Sequence, residues 1–155
     1  FGGMGFGRMG FGGMGFPQGQ LFALKFANER CLYPENNKKS PGTKLVLPDE
    51  VCGTDSAKFK ISNNGNLKHD KTGFCVQPES DNEGGDDSPL LLSKDCERKW
   101  AFLMTAWGSI RLAKGAKCVQ PASGSTKPSE TDYMVLRDKC DSPETKFTIW
   151  GMIFH

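Results

Sequence analysis

The chain writes one sentence three times. "CLYPENNKKSPGTKLVLPDEVC" (31–52), "CVQPESDNEGGDDSPLLLSKDC" (75–96) and "CVQPASGSTKPSETDYMVLRDKC" (118–140) each open on cysteine and carry proline three positions later. Each then crosses a polar loop, rises to an apolar triplet and closes on cysteine. Opening cysteines fall at 31, 75 and 118 and closing ones at 52, 96 and 140. A period of about 43 residues, repeated three times, means one supersecondary unit that must stack on its own copies to bury a core.

The flanks of each copy say what that unit is made of. An apolar-basic pair precedes each opening cysteine: Leu24-Lys25, Leu67-Lys68 and Ile110-Arg111. An aromatic with an aliphatic two positions on follows each closing cysteine: Phe59/Ile61, Phe102/Met104 and Phe147/Ile149. Alternation of this kind is the period of a strand with one buried face. The triplets Leu45-Val46-Leu47, Leu90-Leu91-Leu92 and Met134-Val135-Leu136 lie between clusters of Gly, Pro, Ser, Asn and Asp, and no long helix-period stretch exists. The expectation is an all-β domain of about 135 residues: a β-trefoil with roughly four strands per repeat. A propeller would typically need about four blades or more. Repeats are expected at about 20–62, 63–105 and 106–149, within a domain spanning 20–155. Its closing strand would continue into the buried end "WGMIFH".

Six cysteines spaced 21, 21 and 22 positions apart within the repeats, with no CxxC or Cys/His zinc pattern, predict one disulfide per repeat. The pairs are Cys31–Cys52, Cys75–Cys96 and Cys118–Cys140. Such bridges point to an oxidising, extracellular setting. The chain begins at Phe1 rather than Met, as a secretory protein freed of its signal peptide or a fragment would.

Residues 1–19 obey another rule. "FGGMGFGRMGFGGMGF" is Phe-Gly-x-Met-Gly three times followed by Phe16, and eight of its first 15 residues are glycine. Glycine at this density makes any fixed conformation entropically costly. An ordinary linker would avoid the rings of Phe1, Phe6, Phe11 and Phe16. They are expected to mediate self-association, into a homo-oligomer or filament.

The repeats resemble the β-trefoil lectins, a group that includes the ricin-type lectins and the galactose-binding mussel lectins, or mytilectins. "LKHDKTGFCVQP", "IRLAKGAKCVQP" and "LKFANERCLYP" look like the start of the mussel repeat. "SPGTKLVL" and "KPSETDYMVL" look like its second part, with Pro41 and Pro128 at the loop proline. The resemblance covers about residues 21–150 and implies a glycan-binding module without catalysis. The mussel pattern has His-Pro-x-Gly-Gly after its turn. Tyr33, Gln77 and Gln120 stand at its histidine, and Gly124 is the nearest remnant of its glycines. Its aspartate after the triplet is matched by Asp95, with Glu50 in repeat one and Asp138 and Asp141 around Lys139 in repeat three. A galactoside site needs a carboxylate for two hydroxyls, an amide or imidazole, and a flat apolar surface. The implied carbohydrate-binding sets are Gln77 with Asp95 and Glu97, Gln120 with Gly124, Asp138 and Asp141, and Tyr33 with Glu50.

Other chemistry finds little support. Twenty Lys and Arg face 18 Asp and Glu, scattered rather than striped, which is no nucleic-acid signature. No apolar run approaches the roughly 20 residues of a membrane helix. Glu79, Asp81, Glu83, Asp86 and Asp87 form an acidic loop whose spacing matches no EF-hand, so it reads as solvated and no metal or cofactor is expected. His69 and His155 belong to no nucleophile-base set, and no hydrolase or phosphate-loop motif occurs, so no enzyme is expected. Trp100, Trp107 and Trp150 read as core residues. Two function classes remain: a secreted lectin, and a structural subunit of an extracellular fibre, matrix or adhesive joined through the tail.

Overall fold

The computed structural model describes residues 16–17, 19–79 and 87–151. Phe1, Phe6, Phe11, His155 and most of the acidic loop lie outside the described residues. Among the described residues twelve short strands divide evenly among the copies. Repeat one holds β1 (Ala23–Phe26), β2 (Tyr33–Pro34), β3 (Leu45–Val46) and β4 (Phe59–Ile61). Repeat two holds β5 (Leu67–His69), β6 (Cys75–Pro78), β7 (Ser88–Ser93) and β8 (Phe102–Met104). Repeat three holds β9 (Ile110–Leu112), β10 (Cys118–Pro121), β11 (Met134–Arg137) and β12 (Phe147–Trp150).

The first and last strands of the repeats make a closed barrel. Across repeats, β1 pairs β12, β4 pairs β5 and β8 pairs β9, all antiparallel. Within repeats the ring is joined by the bridges Phe22↔Phe59 and Asn66↔Ala101 and by the Phe147 N–H donating to Gly108 O. The middle strands form three hairpins that cap one end: β2–β3, β6–β7 and β10–β11. This is the β-trefoil that the repeats predict.

Register explains why the spacing was so regular. Each inter-repeat pair sets a repeat's aromatic against the next: Phe26↔Phe147, Phe59↔His69 and Phe102↔Leu112. The next inward pair is aliphatic: Leu24↔Ile149, Ile61↔Leu67 and Met104↔Ile110. These residues fill one core with Leu45, Leu47, Leu90, Leu92, Met134 and Leu136 from the hairpins. Lys25, Lys68 and Arg111 face outward, as alternation requires. The bridges Cys31–Cys52, Cys75–Cys96 and Cys118–Cys140 are all present.

The barrel end away from the hairpins breaks the threefold symmetry. Repeats two and three enter through tight turns, 62–66 and 105–109, whose Gly65 and Gly108 have φ of 87° and 110°. A Cβ at Gly108 would stand 3.1 Å from Phe147 O, so glycine is needed there for both conformation and space. Among the described residues repeat one has no hydrogen-bonded turn of this kind. Phe22 takes the equivalent place and is 1% exposed. Phe16 stacks on it with ring centroids 5.6 Å apart, itself only 8% exposed. The last ring of the low-complexity repeat is therefore seated in its own domain and is not presented to a neighbour.

Two tryptophans also depart from expectation. Trp100 is buried, but Trp107 and Trp150 are 41% and 39% exposed. Trp107 sits in the turn before β9, with Lys146 Nζ 4.4 Å from its ring centroid. Trp150 falls on the outward register of β12 and meets Lys25 Nζ at 5.2 Å. The end of "WGMIFH" is thus no buried strand at Trp150, and residues 152–155 lie outside the described residues.

His69 is fully buried, edge-on to Phe59. Ser56 O lies 2.7 Å from its Nε2, and a carbonyl only accepts, so Nε2 carries the proton. Nδ1 then accepts from the Thr72 hydroxyl at 2.8 Å. Burial, the largest influence, lowers its pKa, against smaller raising contributions from the Ser56 carbonyl and Asp70. The folded domain holds the imidazole neutral while the unfolded chain takes a proton near pH 6.5. Stability is therefore complete above that pH and falls below it, by up to about 1.4 kcal/mol per pH unit, until the folded pKa is passed. The urea midpoint should drop between pH 7.5 and 5.5, and His69→Gln should flatten that slope. An unchanged slope in the variant would count against this role.

Candidate functional site

Each repeat carries its candidate residues on the outer face of its cap hairpin. The strand period decides which ones. Leu32, Val76 and Val119 point into the core. Their neighbours Cys31 and Tyr33, Cys75 and Gln77, and Cys118 and Gln120 consequently share the opposite face. That face is covered in turn. The 3-10 turns Asp55–Ala57, Arg98–Trp100 and Pro143–Thr145 lie beside β2, β6 and β10 of their own repeats. In repeat one Tyr33 packs into a small cluster with Ala23, Cys31, Cys52, Val51 and Ala57.

This covering changes the standing of the amides. Gln120 is only 2% exposed, and its Oε1 is buried without a hydrogen-bond partner. Gln77 is partly exposed, but its Oε1 is likewise buried and unpartnered. The side chain expected on the rim of repeat three is therefore beneath it. Its strand register is that of Cys118, which must reach inward under the turn to meet Cys140.

The carboxylates remain outside. Glu50, Asp95, Glu97, Asp138 and Asp141 are all exposed. Asp138 receives Lys117 Nζ at 3.1 Å, and Glu97 lies 3.7 Å from Lys99 Nζ. Glu97 also fixes its backbone, whose carbonyl accepts from Asn66 Nδ2 at 2.8 Å. The Asp95 N–H donates to Ser93 Oγ at 3.1 Å, while its carboxylate meets no partner among the described residues. The carboxylates of Glu50 and Asp141 are equally unpaired among the described residues. The disulfides bring these acids to the mouths of the hairpins, because Asp95 and Asp141 flank the closing cysteines directly.

Repeat three has contributors the sequence did not single out. Gly124, exposed with φ of 74°, sits in a loop that Asp132 organises: its carboxylate accepts from the Ser123 N–H at 3.2 Å and from the Ser123 hydroxyl. Arg137 spans the hairpin, donating to Ala122 O at 2.7 Å and Pro121 O at 3.4 Å and pairing with Asp87. The run from Ala122 to Tyr133 reads as a polar loop, and nothing in it marks Asp132 as the acid that folds back.

Chemically, an unpaired exposed carboxylate accepts hydroxyl donors. His69, the one described imidazole, has both nitrogens engaged inside the protein, so it neither attacks nor relays protons. No group of three or more metal-ligating side chains occurs among the described residues. No helix among them is long and apolar enough to cross a membrane.

Comparison with known proteins agrees with this picture. The family model for MytiLec, described as alpha-D-galactose-binding lectin, matches residues 24–151. No curated protein matches the sequence. Among solved structures, the Rhizoctonia solani agglutinin is similar with a TM-score of 0.70 and 16% identity, over 86% of this chain and 95% of that one. The C-half of the earthworm R-type lectin, in complex with GalNAc, has a TM-score of 0.69 at 14% identity, over 84% and 98%. ThreeFoil, a designed threefold symmetric protein, reaches 0.69 at 15% identity, over 84% and 98%. At these identities the likeness to solved structures establishes the fold alone.

Proposed function

The chain belongs to the MytiLec family of alpha-D-galactose-binding lectins, and from that premise we propose that it is a secreted galactoside-binding protein without catalysis, with its most competent site in repeat two. The observation that carries the choice of repeat is that repeat two alone joins an exposed carboxylate unpaired among the described residues, Asp95 beside the Cys75–Cys96 bridge, to a candidate amide with exposed surface, Gln77; Asp141 and Glu50 are equally unpaired, but Gln120 is buried and Tyr33 stands at that place in repeat one. Asp95 is free to accept two vicinal sugar hydroxyls without first breaking an ion pair. Gln77, two strand positions from Cys75, is the one candidate amide with exposed surface. Repeat three is less apt: Lys117 occupies Asp138 and Gln120 is buried. Repeat one offers Glu50 and the half-buried ring of Tyr33. The three bridges, which persist in oxidising compartments, support the secreted reading.

Hydrogen bonds to a charged acceptor contribute about 1.5–3 kcal/mol. Asp95→Asn should therefore weaken binding of methyl α-galactoside by roughly 10- to 100-fold in titration calorimetry. Asp138→Asn should do far less. Equal affinities in wild type and Asp95→Asn would remove the site from repeat two. Absence of any binding by the wild type would remove the galactoside reading itself.

A further inference from the structure

A groove of about 380 Å³ runs between repeats one and three, lined by Ala27, Asn28, Arg30, Thr126, Lys127 and Pro128. It involves none of the carboxylates of the hairpin mouths. One wall is the turn between β1 and β2, the other the loop between β10 and β11. The same loop of repeat three is tied to the residues flanking β3 of repeat one: the Asp49 N–H donates to Glu130 Oε1 at 3.0 Å, and Lys44 Nζ lies 4.5 Å from the Tyr133 ring centroid. The turn is fixed by the Arg30 N–H donating to Asn28 Oδ1 at 2.9 Å. The loop is fixed by the Lys127 N–H donating to Ser125 Oγ at 2.9 Å.

What remains uncommitted is of one kind. Arg30 is paired with Asp49 through Nε, at 3.7 Å, and its two terminal nitrogens make no hydrogen bond among the described residues. The Lys127 ammonium and the Asn28 amide nitrogen also have none among the described residues. All of these atoms are donors, and the Thr126 hydroxyl can act as one. Asp49 offsets part of the charge of Arg30, and Glu130 is turned to the Asp49 N–H, so Lys127 supplies the uncompensated charge.

We propose that this groove is a second saccharide site, and that it takes a sugar bearing an oxyanion, a carboxylate or a sulfate. A guanidinium with two free nitrogens is the geometry that grips such a group in bidentate fashion. The volume exceeds what a bare ion needs and falls in the range of small-ligand pockets. Ala27 and Pro128 give apolar wall for a sugar ring, while Asn28 and Thr126 are placed for its hydroxyls. The inference deepens the lectin reading and rests on it for the class of ligand.

The test uses the full chain and four probes: galacturonic acid, galactose 6-sulfate, methyl α-galactoside and inorganic sulfate. In amide NMR titrations the two acidic sugars should shift Asn28, Arg30 and Lys127, and methyl α-galactoside should not. Arg30→Gln and Lys127→Gln should each weaken the acidic sugars about fivefold and leave methyl α-galactoside unchanged, with melting temperature as the check on folding. Whichever acidic sugar binds more tightly identifies the oxyanion. Unchanged affinity for both acidic sugars in both variants would overturn the groove. So would inorganic sulfate binding as tightly as they do, which would leave an anion site without a sugar. Acidic sugars bound at the groove without any neutral galactoside would support the groove and sink the repeat-two site. Neutral binding alone would do the reverse.

Discussion

Reduction of the three disulfides is expected to unfold the domain. Each bridge closes a loop of 21 or 22 residues, which the chain-entropy treatment values at about 3 kcal/mol. Three such loops, nested in separate repeats, sum to about the whole stability of a typical domain, roughly 5–15 kcal/mol. The enthalpic side points the same way. Cys31, Cys75 and Cys118 are at most 1% exposed, and each anchors its second strand beneath a 3-10 turn. Far-UV and near-UV circular dichroism with urea titration, with and without a phosphine reductant, decides the matter. Reduced protein should show no cooperative transition at 25 °C. The doubly substituted Cys75→Ser/Cys96→Ser chain should remain folded but lose about 2–5 kcal/mol. A reduced domain that melts at the same urea concentration as the oxidised one would show the core to be sufficient alone.

The fold was legible because the repeat repeats its physics along with its letters. Leu24, Leu67 and Ile110, then Phe59, Phe102 and Phe147, occupy equivalent barrel positions in all three copies, so one period-2 reading located six strands at once. The candidate site was legible only in part. Asp95 and Asp141 could be found from their neighbours in sequence, the closing cysteines. The burial of Gln120 could not. Alternation says which residues share a face, but not that a turn some 23 residues downstream will cover that face. The groove was invisible for a related reason: Asn28 and Lys127 stand in different repeats and meet only once the barrel closes. Trp107 and Trp150 were misread because hydrophobicity is a poor guide at a turn or a strand end, where a large ring can lie flat under a lysine.

Phe22→Gly, which would give repeat one the residue its sister repeats use, is expected to be among the most damaging single changes in the chain. Gly65 and Gly108 serve turns with positive φ, whereas Phe22 places its ring in the main core. Replacing it removes a fully buried aromatic and leaves a cavity, at about 3–5 kcal/mol for Phe→Ala, with up to roughly 1 kcal/mol more for glycine in an ordered segment. Phe16 should share that loss, since its ring is stacked on Phe22 with an interplanar angle of 12°. Aromatic pairs of this kind couple by about 0.5–1.5 kcal/mol beyond their burial. In urea denaturation Phe16→Ala alone should destabilise the domain. In the Phe22→Gly background it should cost less by roughly that coupling. A chain beginning at Gln20 should behave like Phe16→Ala, and one beginning at Phe16 like the full chain. We accordingly propose that the folding unit starts at Phe16 rather than Gln20, with the last ring of the glycine-rich segment as part of the trefoil. Identical urea midpoints for chains beginning at 16 and at 20 would return that ring to the tail.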